Sequence, residues 1–273
     1  MAAPPSVGEM SGDGTATFRR STANAYDSHV GRYGAELARG LIGLAGIGGG
    51  DRVLDVGCGT GLLTAELARV AGPDRVAAVD PSEPFVAASR RRVPGADVRV
   101  AAAEDLPFDD ATFDAAQSQL VVNFMADPEA GVGQMRRVTR PGGRVAACVW
   151  DYADGMTLLR SFWDAAVALD PAAAPLDEGV SMPHTRPDSL RALWESVGLR
   201  DVTGSELVPS VRYSSFDELW APFTTGVAPS GAYTVSLDEP RRDALRAEYF
   251  RRLGRPEGPF TLSARAWAVV GRR

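Results

Sequence analysis

The chain has 273 residues, of which 45% are apolar and 23% are charged, a composition that is ordinary for a globular protein and excludes a disordered one. Acidic residues number 35 and basic residues 29, which gives a net charge of −6. A mildly acidic chain lacks the basic surface that nucleic-acid binders and anionic-lipid binders need, so no nucleic-acid or membrane partner is expected.

The first segment, Met1–Arg20, is rich in Gly, Pro, Ser and Ala. It lacks the charged start and apolar centre of a signal peptide, and we expect a mobile leader. No run of about 18 apolar residues occurs anywhere in the chain, so no membrane span is predicted. A cytoplasmic protein with reduced thiols is the expectation that follows.

From Arg52 to Val149, short apolar runs alternate with segments of helical spacing. This alternation predicts parallel strands joined by crossover helices, in a sheet that is buried on both faces. The predicted strands are Arg52–Asp55, Arg75–Val79, Val98–Ala101, Phe113–Ser118 and Arg144–Val149, and the predicted helices are Leu62–Val70, Ser82–Val93 and Pro128–Thr139.

After Val149 the pattern changes. Two strands are predicted at Arg200–Arg212 and Phe260–Val270, and the helical segment between them is too long for a hairpin turn. We expect that segment to cap the carboxyl ends of the strands, where open α/β sheets bind ligands. The predicted fold is α/β: a Rossmann-like, doubly wound, mostly parallel sheet of seven strands, with an antiparallel last strand and a helical cap inserted near the C-terminus.

Further helices are predicted at Met156–Leu169, Ser189–Val197, Phe216–Phe223 and Asp238–Leu253, with an ordered loop or lid segment at Pro171–Pro187.

The central motif is a glycine-rich turn between the first strand and the first helix. Gly57, Gly59 and Gly61 follow Asp55 in the run VLDVGCGTG, and Cys58 lies inside the turn. Glycines permit a tight turn and a close approach of the backbone to a ligand, and the helix that follows presents free N–H groups to an anionic group.

The spacing of the glycines separates two classes of cofactor. The dinucleotide fingerprint G-x-G-x-x-G would need glycine at position 62, where this chain has leucine. Asp80 closes the second strand, and a carboxylate at that place can accept hydrogen bonds from both hydroxyls of a ribose. Asp55, the three glycines and Asp80 together indicate a nucleoside ligand without the dinucleotide pattern.

On these residues the sequence resembles the class I S-adenosylmethionine-dependent methyltransferases, and most closely the branch of the ubiquinone and menaquinone C-methyltransferases. The resemblance covers about Tyr26 to Trp150. Its motifs are VLDVGCGTG (53–61), VAAVDPS (76–82), AAAEDLPF (101–108), TFDAAQSQLVVNF (112–124) and RPGGRV (140–145).

The resemblance implies S-adenosylmethionine as the cofactor. Asp55 and the turn Gly57–Gly61, including Cys58 and Gly59, would hold its methionine part, Asp80 its ribose, and Pro81 its adenine. Where the family usually has Asp, this chain has Ala102, which leaves adenine to the backbone of Ala103 and Glu104 or to the Glu104 side chain. Gln119 would face the amino-acid end, and Tyr26 would close over the same pocket.

The resemblance also divides the chain. Residues 1–20 are the leader, and residues 21–150 would form the S-adenosylmethionine-binding core with an N-terminal helix. Residues 151–273 would complete the sheet edge, with cap insertions at about 156–187 and 214–255.

Transfer of a sulfonium methyl group mainly requires alignment of the acceptor in a dry cavity. An oxygen or nitrogen acceptor can also need a base, and a carbon acceptor an activating neighbour. The candidate bases are His29, His184 and Asp151, and a wall of tail aromatics with Trp150 would suit a small, partly apolar or aromatic acceptor, with O- or C-methylation favoured. With two His and two Cys at unsuitable spacings, no metal site is predicted.

Three alternatives stay open at this point. The fold can hold the same cofactor while catalysing a cyclisation or an elimination, because fold and binding do not determine chemistry. A nicotinamide oxidoreductase and a binding protein without catalysis are the other two. The sequence leaves the oligomeric state and the acceptor atom undetermined.

Overall fold

The structure is a computed structural model, and it describes residues 30–273. The predicted leader and the candidate residues Tyr26 and His29 lie outside the described residues. The strands are β1 (Val53–Val56), β2 (Val76–Asp80), β3 (Asp97–Val100), β4 (Phe113–Gln119), β5 (Thr139–Trp150), β6 (Arg200–Leu207), β7 (Ser210–Tyr213), β8 (Phe260–Ser263) and β9 (Ala266–Arg272).

Helices connect these strands. They are α1 (Gly34–Ala45), α2 (Leu62–Ala71), α3 (Glu83–Arg92), α4 (Pro128–Val138), α5 (Thr157–Leu169), α6 (Glu178–Ser181), α7 (Pro187–Ser196), α8 (Phe216–Trp220), α9 (Ala228–Ser236) and α10 (Glu239–Arg252). Sequence analysis had no prediction for α9, and it expected a loop where α6 forms.

Seven strands form the main sheet in the order β3-β2-β1-β4-β5-β9-β6. Strands β1 to β5 run parallel, whereas β9 pairs antiparallel with both β5 and β6. The predicted fold class is therefore confirmed. The strand order proceeds from β1 to β3 on one side and from β4 to β5 on the other, so it reverses next to β1. The crevice at such a switch point is where open α/β sheets bind their ligands.

Both predicted tail strands are divided in the structure. The first breaks at Val208–Pro209 into β6, in the main sheet, and β7. The second breaks at Ala264–Arg265 into β8 and β9, and β7 pairs with β8 in a separate two-stranded sheet. Pro209 has no N–H to donate to a sheet ladder, which explains why the first strand does not continue through it.

Apolar side chains bury the sheet on both faces. Leu54 and Val56 of β1 pack with α4 and α7 on one face, where the Trp194 indole donates a 3.0 Å hydrogen bond to the Val145 carbonyl. Val53 of β1 packs with α1 and α2 on the other face. This alternation follows the two-residue period of a strand.

The cap, residues 214–253, lies between β7 and β8 and holds α8, α9 and α10. Its rings pack on α5: Phe162 stacks on Phe223 with centroids 4.6 Å apart, and the Tyr249 hydroxyl donates to the Leu158 carbonyl. The helical spacing of Phe216, Trp220 and Phe223 favours a core role over a pocket wall, and these residues do belong to the core. Trp150, the other aromatic predicted for the wall, lines the cavity.

Candidate active site

The glycine turn joins β1 to α2 and has a left-handed backbone. Gly57, Gly59 and Gly61 all have positive φ, at 77°, 52° and 88°. A Cβ at Gly57 would lie 2.5 Å from the Val121 methyl groups, whereas one at Gly59 would meet no atom within 4 Å. Gly57 is therefore required for packing, and Gly59 leaves open space beside the turn.

The Asp80 carboxylate at the end of β2 supports this turn. It accepts a hydrogen bond from the Gly59 N–H at 2.9 Å and one from the Ser82 N–H at 2.8 Å. The N–H groups of Gly57 and Cys58 both donate to the Val79 carbonyl. Asp80 thus orients the turn, and it also lines the cavity next to it.

Asp55 is almost fully buried at the end of β1. One carboxylate oxygen, Oδ2, accepts a 2.6 Å hydrogen bond from the Thr64 hydroxyl. Burial raises the pKa of the Asp55 carboxyl to about 7, and the charge of Asp80 adds to this rise, while the Thr64 hydrogen bond opposes it. A buried carboxylate without a compensating charge lowers the stability of the fold, so a cationic ligand group near Asp55 would be stabilising.

A cavity of about 190 Å³ opens at this crevice. One group of lining residues is Gly57–Thr60 of the turn together with Asp55, Asp80, Pro81 and Gln119. A second group comes from the end of β5, the chain that follows it and the start of α9, and it includes Trp150, Tyr152, Leu159, Glu178 and Ala228. The lining therefore has a polar half, from the turn and the strand ends, and a largely apolar half, from the later part of the chain.

Two acceptor atoms in the polar half have no hydrogen-bond partner within residues 30–273. They are Asp55 Oδ1 and Gln119 Oε1, both buried, while Gln119 Nε2 donates to the Gly34 carbonyl at 3.1 Å. Buried acceptors without partners destabilise a protein unless a ligand supplies N–H donors. The α-ammonium group of S-adenosylmethionine is such a donor, so these residues fit the predicted cofactor.

The structure brings most of the predicted cofactor residues to one cavity. Asp55, Gly57, Cys58, Gly59, Asp80, Pro81 and Gln119 all line it. Gly61, Ala102, Ala103 and Glu104 do not. Glu104 accepts hydrogen bonds from the Ala126 and Asp127 N–H groups at the start of α4, and Ala103 packs against the α4 side of the sheet. Their predicted contacts with adenine stay predictions.

The candidate bases that the structure describes lie outside the cavity wall. Asp151 accepts two hydrogen bonds from Arg265 and one from the Gly155 N–H, so its carboxylate holds the turn after β5. His184 has a left-handed backbone with φ of 55°, and it is only half-buried. The structure thus assigns Asp151 to the support of a turn.

Glu178 is a cavity residue that sequence analysis missed. It lies in the one-turn helix α6, is 2% exposed, and accepts a 2.9 Å hydrogen bond from the Trp163 indole N–H. Burial raises the pKa of the Glu178 carboxyl to about 7, the Trp163 hydrogen bond opposes this rise, and the Asp177 charge adds to it. No signal marked it, because a single Glu in a Pro- and Ala-rich segment has no periodicity.

Neither a metal site nor a membrane span is found in the part of the chain that the structure describes. No three His, Cys, Asp or Glu side chains converge there as metal ligands would. None of the helices there combines the length and the apolar character needed to cross a bilayer.

The sheet order and this crevice define an α/β domain with a cavity at the carboxyl ends of its strands. In the comparison with known protein families, the model of the methyltransferase domain matches residues 54–147. This part of the chain is therefore similar to methyltransferase domains.

One curated relative is a demethylmenaquinone methyltransferase of Mycobacterium sp. (strain KMS), which is 47% identical over 104 residues. The match covers 38% of this chain and 43% of that relative, so the chain spans less than half the length of the curated protein it matches.

Solved structures share the fold. Phosphoethanolamine N-methyltransferase 2 of Haemonchus contortus, in complex with phosphomonomethylethanolamine and S-adenosylhomocysteine, has 16% identity and a TM-score of 0.54, over 87% of this chain and 52% of that one. The [4+2]-cyclase SpnF has 18% identity and a TM-score of 0.52, over 87% of this chain and 81% of that one. At these identities the likeness establishes the fold alone.

A pair of alanine substitutions tests the glycine turn. We expect Gly57→Ala to lower the free energy of unfolding by about 2–5 kcal/mol, because a left-handed alanine costs about 1–2 kcal/mol and overlap with Val121 costs about 1–3 kcal/mol. Gly59→Ala should cost only the conformational part, about 1–2 kcal/mol. Urea denaturation measures both variants, and equal losses of stability would contradict the packing role of Gly57.

Proposed function

We propose that the protein is an S-adenosylmethionine-dependent methyltransferase that acts on a small, partly apolar or aromatic molecule, with O- or C-methylation favoured. The observation that carries the proposal is the joint cavity. Its polar half holds the glycine turn, Asp80 and two acceptor oxygens without partners among the described residues, and its other half is largely apolar. A cofactor bound in the polar half would present its methyl group to a small acceptor bound in the largely apolar half.

The chain's own residues would bind and orient both molecules. Asp80 would accept hydrogen bonds from the ribose hydroxyls, and Asp55 and Gln119 would accept them from the ammonium group. Bound there, S-adenosylmethionine supplies a methyl group already activated on sulfur. Trp150, Tyr152 and Leu159 would keep water out of the apolar half, which leaves alignment as the main task of the protein.

Three further statements belong to this proposal. The cytoplasmic location and the absence of a nucleic-acid partner rest on composition and charge. The division into a core of residues 21–150 and a sheet edge with cap insertions at 156–187 and 214–255 rests on the family resemblance. No observation favours the non-methylating alternative, because the likeness to a cyclase concerns the fold alone.

Isothermal titration with S-adenosylmethionine and S-adenosylhomocysteine tests the proposal, with NADH as the control ligand. We expect both sulfur compounds to bind with one site per chain and NADH not to bind, because the turn lacks the third glycine of the dinucleotide pattern. Binding of NADH in place of the sulfur compounds would refute the proposed function.

A further inference from the structure

Glu178 is a charged residue in the otherwise largely apolar half of the cavity lining. It lies in α6, in the segment that follows α5, and it is a cavity-lining residue that is 2% exposed. Charged side chains are almost never buried to this extent unless they are paired. Within residues 30–273, however, no arginine forms an ion pair with Glu178, so packing alone does not explain the carboxylate.

Neighbouring residues hold this carboxylate in place without neutralising it. The Trp163 indole on α5 donates a hydrogen bond to Oε2. Asp177 caps α6 by accepting from the Gly179 N–H at 2.8 Å, and its other oxygen pairs with Arg160 at 2.7 Å. Arg160 is thus committed to Asp177, and α6 is anchored so that Glu178 keeps its position.

Several charged and titratable groups lie on the elements that surround Glu178. Asp177 lies on the same turn, Arg160 and Asp164 pair with each other on α5, and Tyr233 of α9 packs on the Trp163 ring. Asp55, Cys58 and Asp80 line the same cavity. With its pKa raised to about 7 by burial, the Glu178 carboxyl can take up and release a proton near neutral pH.

The surroundings of Glu178 also indicate what it would bind. Trp150, Tyr152 and Leu159 line the same cavity as Glu178. The Trp150 indole N–H is buried and has no hydrogen-bond partner among the described residues. Apolar and aromatic walls suit an uncharged ring, a carboxylate suits a hydroxyl that donates a hydrogen bond, and a free N–H suits an oxygen acceptor.

We propose that Glu178 is the general base of this enzyme, and that the methyl acceptor is a phenol or an enol whose hydroxyl group binds to the Glu178 carboxylate. This inference rests on the proposed function and specifies its acceptor as oxygen. In the transfer, the acceptor O–H bond breaks and its proton passes to Glu178. The acceptor oxygen forms a bond to the methyl carbon, and the bond between that carbon and sulfur breaks with its electron pair left on sulfur. Glu178 then returns the proton to water.

A binding experiment tests the inference with 2-naphthol as the phenol and 2-methoxynaphthalene as a matched probe that has no proton to donate. Both are titrated into the full chain saturated with S-adenosylhomocysteine, at pH 6 and pH 8. We expect wild-type affinity for 2-naphthol to rise between these pH values as Glu178 ionises. In Glu178→Gln it should be about 10-fold weaker at pH 8 and independent of pH. Affinity for 2-methoxynaphthalene should be the same in both proteins.

A kinetic measurement accompanies it. Transfer of a labelled methyl group to 2-naphthol should fall about 100-fold or more in Glu178→Gln at pH 8, with the KM for the cofactor unchanged. Trp163→Phe, which removes the hydrogen bond to the carboxylate, should move the acid limb of the kcat profile to higher pH. Glu257→Gln, at an exposed loop position, is the control and should match the wild type.

The outcomes separate the two proposals. A wild-type protein that binds S-adenosylhomocysteine but neither binds nor methylates 2-naphthol would overturn the inference and leave the proposed function standing. Equal affinity of wild type and Glu178→Gln for 2-naphthol would overturn it as well. Failure of the wild type to bind S-adenosylhomocysteine would refute the proposed function itself.

Discussion

Replacing Asp80 with alanine is expected to weaken binding of S-adenosylhomocysteine by about 100-fold or more. In the structure, this carboxylate accepts hydrogen bonds from the Gly59 and Ser82 N–H groups, and in the complex it would also accept them from the ribose. Hydrogen bonds to charged groups contribute about 1.5–3 kcal/mol each, and about 1.4 kcal/mol corresponds to a factor of ten in affinity. Isothermal titration at pH 7.5 measures the effect.

Asp97→Ala is the matched control for Asp80→Ala. Asp97 begins the neighbouring strand β3, is exposed, and pairs with Arg99 at 2.6 Å. The Asp97→Ala variant should bind S-adenosylhomocysteine as tightly as the wild type does, since an exposed ion pair contributes little to stability. If Asp80→Ala bound S-adenosylhomocysteine with wild-type affinity, the prediction that Asp80 binds the ribose would be wrong.

The glycine turn and its neighbouring carboxylates were predictable because their spacing in the sequence is local. Asp55, the glycine turn and Asp80 lie within one strand–helix–strand unit, and the turn needs glycines at particular positions whatever the remainder of the chain does. The positive φ angles of Gly57, Gly59 and Gly61 are the physical form of that requirement. The parallel sheet was equally predictable, since continuous apolar runs between helices have few other arrangements.

The other half of the cavity depends on long-range packing. Glu178 and Ala228 are about 50 residues apart in sequence yet line one wall, and nothing local marks either as a cavity residue. Asp151 follows strand β5, where ligand-binding residues are common, but Arg265 lies close enough to pair with it. Such a pairing across 114 positions cannot be foreseen from one sequence.

Asp55→Asn is expected to have opposite effects on stability and on cofactor binding. At pH 8 the free protein should gain about 1–3 kcal/mol in the free energy of unfolding, because the buried carboxylate must ionise in the wild type. S-adenosylhomocysteine should bind about 10-fold more weakly or worse, because asparagine has no charge for the ammonium group. Urea denaturation and isothermal titration measure the two effects.

The pH dependence identifies the cause of the gain. Burial raises the pKa of Asp55 to about 7 in the folded chain, against a value near 3.8 for an unperturbed carboxyl. Below about pH 4 both states are protonated, and the wild type pays no charge penalty. Between these pH values Asp55 ionises only in the unfolded state, so the stability of the wild type falls as pH rises. Above about pH 7 Asp55 is ionised in both states, and the loss of wild-type stability is constant. The advantage of Asp55→Asn should therefore be large at pH 8 and small at pH 4.5.

Asp105→Asn provides the control for this titration, since Asp105 is exposed on the loop after β3. Its stability should follow that of the wild type at both pH values. Glu178 also has a raised pKa and adds to the wild-type pH dependence, but it is present in both proteins and cancels in the difference between wild type and Asp55→Asn. A gain that is equal at pH 4.5 and pH 8 would mean that shape, and not charge, limits stability at Asp55. In that case the two acceptor oxygens would no longer be a reason to expect a cationic group in the cavity.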